Sequence, residues 1–332
     1  MKSILSMRTR FLLLFLATLC ASTSAQKQTV IRPGEIWPDM DGNHIQAHGG
    51  GITHVEDTYY WYGEQRSKDL DPEKRYVSCY SSKDLINWKF RGNVLEMANP
   101  DSLAPNWVLE RPKVFYNKKT RKYVMYVHID VNYKLAQVGI AVSDNATGPF
   151  EYVRRFRPLG CESRDIGQFI DDDGKAYLIF EDRPNGGFRI ARLSDDYMDV
   201  EKNMSLVKAR IEGGAIVNYK GLYYCIGSGL TGWKPNPNKY ATATSLEGPW
   251  TEFKDIAPAE KNTYGAQSSM LVKIAGSKNT TVLFLGDIWK PDTQWDSRYL
   301  WMPLEIGNGK LWLPNPQPFS LNIKTGEITF VE

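Results

Sequence analysis

Apolar and polar residues alternate in short bursts along most of this chain. In "GITHVEDTYYWYGE", Gly51 to Glu64, two such bursts flank the pair Glu56-Asp57. Alternation over four to eight residues, rich in Tyr, Val, Ile and Phe and broken by Gly, Asn or Asp, predicts strands joined by tight turns. No long segment keeps a helical period. Three consecutive glycines, Gly49 to Gly51, run directly into this first burst.

Five segments repeat the arrangement of an apolar strand, a short polar turn and a second, aromatic strand. They are "HGGGITHVEDTYYWYGE" from His48, "ERPKVFYNKKTRKYVMYVHI" from Glu110, "DIGQFIDDDGKAYLIFED" from Asp165, "EGGAIVNYKGLYYCIGSG" from Glu212 and "QSSMLVKIAGSKNTTVLFLGD" from Gln267. Their starts lie 62, 55, 47 and 55 residues apart. Repeats of this size, each a small antiparallel sheet, predict the blades of an all-β, five-bladed β-propeller. The N-terminal "TVIRPGEIW" is expected to supply a closing strand. Two stacked sandwiches are the rival arrangement. The run "TYYWYG" could stack on sugar, but alternate residues of a blade strand must pack, so most of it reads as core.

In a propeller the innermost strands converge on a central channel. Small residues there (Gly49 to Gly51, Gly213-Gly214, Ser268-Ser269) let backbones crowd or let a ligand approach them. Aligning the inner strands puts His48, Glu110, Asp165, Glu212 and Gln267 at equivalent positions, expected at one mouth of the channel. Crowded carboxyl groups raise one another's pKa, and groups pushed apart in pKa are the basis of acid–base chemistry. A ring of acids could instead hold a hard cation, but no dense Asp/Asn loop accompanies these, and no metal or cofactor is expected. His44, His48 and His54 span too long a run to converge on an ion and read as channel or surface histidines.

Charge changes the picture only at the N-terminus. Lys2, Arg8 and Arg10, an apolar run from Phe11 to Cys20 and the small-residue stretch "ASTSA" have the layout of a secretory signal peptide cleaved after Ala25. The 41 basic residues less those three equal the 38 acidic ones, so residues 26–332 are neutral. That balance gives no case for nucleic acid or an anionic membrane. A lipoprotein would be anchored through Cys20, but the bulky Leu19 precedes it where a small residue is expected. The protein is expected to be secreted or periplasmic, monomeric and one continuous domain over 26–332. Cys79, Cys161 and Cys225 are too few and too scattered for a disulfide scaffold or a zinc site.

The strings "IRPGEIWPDMDGNHIQAHGGGI", "YYWYGE", "VLERPKV", "SRDIGQF", "EGGAIV", "LTGW" and "YGAQSS" resemble glycoside hydrolase family 43, in particular its exo-β-1,3-galactanase branch. The resemblance runs from Val30 to Glu332. It implies a five-bladed propeller and an inverting exo-hydrolase of β-1,3-galactan backbones such as those of arabinogalactan. It further implies Glu212 as general acid, Asp165 as the acid that tunes and orients it, Glu110 as a ligand of the sugar being cleaved, and Gln267 as a residue near the attacking water. Glu64, Tyr133, Thr231 and Trp233 are implied as sugar contacts, and His48 stands beside them in the ring. The chain departs from the wider family on the first inner strand, where most members carry an aspartate base and this one has "QAHGGG". An inverting glycosidase normally needs a second carboxylate about 6.5–9.5 Å from the acid. The galactanase branch shares the departure. "WPDMDGN" superficially suggests a fructosidase, but Arg164-Asp165 is followed by Ile166 where those enzymes have proline. Arabinofuranosidase or xylosidase specificity, or a non-catalytic sugar-binding propeller, are the alternatives.

Overall fold

Each of the five repeats folds into an antiparallel sheet whose first strand is innermost. A computed structural model describes residues 27–331, so the expected signal peptide and Cys20 lie outside the described residues. Blade I is β1 (His48–Val55), β2 (Thr58–Glu64), β3 (Arg75–Ser82) and β4 (Lys89–Met97). Blade II is β5 (Trp107–Asn117), β6 (Lys122–Val131), β7 (Gln137–Ser143) and β8 (Glu151–Phe156). Blade III is β9 (Ile166–Ile170), β10 (Ala176–Asp182), β11 (Gly187–Leu193) and β12 (Val200–Val207). Blade IV is β13 (Ile211–Tyr219), β14 (Leu222–Gly229), β15 (Lys239–Ala243) and β16 (Lys254–Asp255). Blade V has three strands, β17 (Gln267–Ala275), β18 (Thr280–Ile288) and β19 (Arg298–Pro303). Two hairpins follow, β20 (Glu305–Gly307) with β21 (Lys310–Trp312), and β22 (Phe319–Asn322) with β23 (Glu327–Phe330).

The ring closes differently from the sequence expectation. The N-terminal segment does not join blade V as a fourth strand. It makes a single bridge to the C-terminal hairpin, with Ile31 N donating to Phe319 O (2.8 Å) and Phe319 N to Ile31 O (3.0 Å). Gly34 N adds one bond to Tyr299 O on β19 (2.8 Å). Side chains supply the rest of the closure. Trp61 of blade I lies 4.7 Å, centroid to centroid, from both Trp301 and Tyr299 of blade V, and 5.8 Å from Trp37 of the N-terminal segment. One apolar cluster thus spans both sides of the seam, and the "TYYWYG" run is mostly core, as its alternation implied. Trp61 is 2% exposed. Trp61→Ala is expected to cost about 3–5 kcal/mol, read as a lower denaturation midpoint in urea; an unchanged midpoint would show that the seam is held elsewhere.

The central axis is filled. Lys113 is fully buried there, and its Nζ donates to Gly49 O (2.6 Å) and Gly50 O (2.9 Å). Gln168 donates to Ile52 O (3.1 Å) and accepts from Val114 N (3.1 Å), while Ser269 Oγ donates to Gly50 O. A Cβ on Gly50 would stand 2.0 Å from Tyr62 O, and one on Gly51 would stand 2.8 Å from Gln168 Oε1. The glycines of the opening stretch therefore serve the crowding of backbones around a plugged axis. Burial, reinforced by the nearby Arg111 guanidinium, pushes the Lys113 ammonium down to about 7.

Candidate active site

The five aligned residues sit where the inner strands begin, and a local irregularity aims four of them. Strand register slips just after the head of blade I (between His48 and Gly51), blade II (Glu110 and Lys113), blade IV (Glu212 and Ala215) and blade V (Ser268 and Met270). An extra residue on one strand bends it and redirects the flanking side chain. The residue after the head has φ +56° at Gly49 and +63° at Gly213, which glycine adopts freely. Blade II places Arg111 in the same left-handed conformation (φ +53°), at a cost of about 1–2 kcal/mol. Three contacts hold it there. Its N–H donates to Glu64 Oε1 (3.0 Å), its Nη1 to Ser268 O (3.3 Å), and its Nη2 meets Asp165 Oδ2 at 2.8 Å. Burial alone would discourage this charge, but Asp165, Asp287, Glu64 and Glu212 more than offset that and keep Arg111 firmly cationic.

A second ring of polar residues stands opposite the heads. His48 pairs across the strands with Glu64, Glu110 with His128, Glu212 with Ser228, and Gln267 with Asp287, while Glu181 N donates to Asp165 O. Sequence reasoning found only Glu64 of these five. The signal was present at the ends of the second strands ("YWYGE", "MYVHI", "LIFED", "CIGSG", "LFLGD"), where a polar or glycine-flanked position recurs beside the mouth.

Glu212 is held towards its neutral form. Burial, then repulsion from Asp165 and Glu181, outweighs Arg111 and Arg183 and pushes it up to about 8. A carboxyl group that is still protonated at neutral pH can act as a proton donor. Gln267 lies directly against it. Its Nε2 donates to Glu212 Oε1 (3.1 Å) and to Ser228 Oγ (3.2 Å), and its Oε1 accepts from Trp289 Nε1 (2.9 Å).

Glu110 has the opposite environment. Burial would raise it, but His128, Arg66 and Tyr133 together hold it below the usual glutamate value. Tyr133 OH donates to its Oε1 (3.0 Å), and His128 Nδ1 stands 3.3 Å from its Oε2, a charge contact at a poor angle for a hydrogen bond. His128 Nε2 contacts Asp130 Oδ2 at 3.1 Å. The Asp130 carboxylate in turn accepts the N–H groups of Val131, Leu135 and Ala136. Burial opposes the imidazolium, yet Asp130 and Glu110 carry His128 up to about 9 from 6.5. The stability linked to this raised pKa is fully present below about 6.5 and is lost as pH rises through about 9. The melting temperature is therefore expected to fall more steeply across that window in the wild type than in His128→Gln. Parallel curves would show that the imidazolium does not stabilise the fold.

The remaining expected site residues divide. Glu64 is buried, bound to Arg66 and Arg111 N–H; burial, against the pull of Arg66, raises its pKa. Tyr133 and Trp233 are exposed at the mouth, at 46% and 39%. Trp233 meets Trp289 edge-on with centroids 5.2 Å apart. Thr231 is exposed on the same loop and accepts from Asn236 Nδ2 (2.7 Å). His48 needs correction as a sugar contact. It is fully buried, stacked on Tyr299 (4.9 Å, 15°), with Nδ1 3.4 Å from Asp287 Oδ1. It stands behind the site because Asp287, Trp289 and Tyr299 of blade V close over it. His44 contacts Ser297 O, and His54 stacks on Tyr59, so the three histidines do not converge.

A cavity of about 750 Å³ opens around Thr53, His54, Phe169, Ile170 and Lys273, and none of the ring acids lines it. Several of its charged residues are paired with one another, as in Lys119–Asp195 and Arg192–Glu201. Volume is there; the perturbed acids are at the ring.

The sequence profile of the glycosyl hydrolases family 43 matches residues 47–282. Among solved structures, an exo-β-1,3-galactanase variant from Phanerochaete chrysosporium, in complex with β-1,3-galactotriose, is 38% identical. That match covers 92% of this chain and 71% of the fungal one with a TM-score of 0.85. An exo-β-1,3-galactanase from Clostridium thermocellum is 34% identical over 92% of this chain and 69% of its own, with a TM-score of 0.83. The family 43 β-1,3-galactosidase BT3683, with galactodeoxynojirimycin, is 34% identical over 85% and 97%, with a TM-score of 0.77. Comparison with curated protein sequences gives no match. On the profile, the coverage and the five-bladed architecture together, the chain belongs to glycosyl hydrolase family 43.

Proposed function

We propose that the protein is a secreted, inverting exo-β-1,3-galactanase that removes galactose from β-1,3-galactan backbones such as those of arabinogalactan. The observation that carries this is Glu212, pushed up to about 8 beside Asp165, in a chain 34–38% identical to solved exo-β-1,3-galactanases. In this reading Glu212 gives its proton to the glycosidic oxygen as the bond to the anomeric carbon breaks. Asp165, fixed by Arg111, keeps the Glu212 proton in place by its negative charge. Ionised Glu110, with Tyr133 beside it, accepts hydroxyl hydrogen bonds of the sugar being cleaved. Trp233 offers an aromatic face to the sugar at the mouth, and Thr231 lies on its loop. Water attacks the anomeric carbon from the far side; Gln267 Oε1 has one lone pair left for it after accepting from Trp289.

The test is a substrate panel. β-1,3-Galactobiose should be hydrolysed to galactose, and arabinoxylan and β-1,4-galactan should be left intact. Arabinose or xylose release from arabinoxylan would replace this specificity by another of the family. Binding of galactobiose without turnover would make the protein a sugar-binding propeller.

A further inference from the structure

Trp289 is the first residue beyond β18, half-buried between the rings of His48 (5.6 Å) and Trp233 (5.2 Å). Its indole nitrogen has one hydrogen to give and nothing to accept with. A side-chain amide is ordinarily ambiguous, since its oxygen and nitrogen can exchange places. Here a donor-only neighbour removes the ambiguity, because only Gln267 Oε1 can face Trp289 Nε1 at 2.9 Å. Both amide hydrogens then point the other way, one to Glu212 Oε1 and one to Ser228 Oγ. An acid oxygen that receives an N–H cannot also carry a hydrogen toward it. The carbonyl oxygen of a neutral carboxyl is also its better acceptor, so the Glu212 proton is left to Oε2, which receives no hydrogen bond among the described residues and stands 3.5 Å from Arg183 Nη2.

We propose that Trp289 is a positioning residue of this site: its indole N–H locks the Gln267 amide in one orientation and so decides which oxygen of Glu212 holds the proton. The inference rests on Glu212 being the acid and goes beyond that assignment. Without the indole donor the amide is free to rotate. Its carbonyl would then accept the proton of Glu212 and withhold it from the leaving oxygen. An N–H donated to a carboxyl group favours the ionised form, and a carbonyl facing it favours the neutral form. The other groups facing Glu212 are Asp165 of the β9 edge, Glu181 of β10, Arg183 beyond it and Arg111 of β5, and none of them changes when the amide rotates.

The experiment is the pH dependence of kcat/KM, which reports the free enzyme, on β-1,3-galactobiose. Trp289→Phe keeps a ring against His48 and Trp233 and removes only the donor. It should shift the alkaline limb upward by about half a pH unit or more. It should also lower kcat/KM roughly tenfold, part of the range general acid catalysis commands. Trp289→His, which retains a ring N–H, should move the limb back towards the wild-type position. In a Gln267→Ala background, assayed with sodium azide as the nucleophile, the Trp289→Phe change should produce no further shift, because the amide that transmits it is gone. An unmoved limb in Trp289→Phe, or an equal shift in the Gln267→Ala background, overturns the proposal. Glu212→Gln measured alongside separates the two levels. If it is inactive and the limb has not moved, only the role of Trp289 falls. If it is fully active, the acid assignment falls and takes the Trp289 inference with it.

Discussion

Glu212→Gln is expected to lose about 10²- to 10⁴-fold in kcat on β-1,3-galactan, with little change in KM. The amide keeps the shape of the side chain and its contact with Gln267, but has no acidic proton. Aryl β-galactosides with a good leaving group need little protonation, so the same variant should recover much of its rate on them. The contrast between substrates is the measurement. Equal losses on both would assign Glu212 to sugar binding. The environment argues for the proton: burial and two neighbouring carboxylates push this group up to about 8, whereas Glu110 in the same ring is held ionised.

The second large effect concerns water. No carboxylate occupies the head of blade I, and its His48 is sealed behind Asp287 and Tyr299. Gln267→Ala is expected to cripple hydrolysis, and sodium azide should restore turnover and give a glycosyl azide of inverted configuration. A small anion needs no base to attack, so it can substitute for a group whose role is to hold and activate water. Glu110→Ala should instead raise KM and resist azide, because it removes the anchor of Tyr133 and the partner of His128. Rescue of Glu110→Ala but not of Gln267→Ala would exchange the two roles. In the free protein the amide touches the acid at 3.1 Å, well inside the roughly 6.5–9.5 Å an inverting pair keeps. A wild-type product of retained configuration would rule out direct displacement altogether.

Blade count, strand order and the heads of the inner strands were legible because period-2 alternation and a repeat near 50 residues leave a physical trace in sequence. Symmetry then placed Glu110, Asp165, Glu212 and Gln267 together. It failed at His48 because symmetry sets where a side chain starts, while the neighbouring blade decides what covers it. Arg111 escaped notice because an arginine inside "ERPKV" looks like an ordinary strand residue; only the left-handed backbone at the bulge turns it toward Asp165. His128 and Asp130 were hidden in "YVHID", where nothing in one strand shows that the histidine faces a glutamate on the next. The closing strand was overestimated for a related reason. Apolar alternation in "TVIRPGEIW" signals burial, and burial came from Trp37 packing on Trp61 and Trp301 rather than from a fourth strand on blade V.

The lysine lodged in the axis has a consequence for how a polymer would be consumed. With Lys113, Gln168 and Ser269 filling the passage between the two mouths, a released monosaccharide has no exit at the back. It must leave by the opening through which the chain came in, so the shortened polymer has to withdraw before the next residue can be seated. The enzyme would then work distributively, dissociating after every cut, and a mixture of long galactan chains would shorten together instead of one chain at a time.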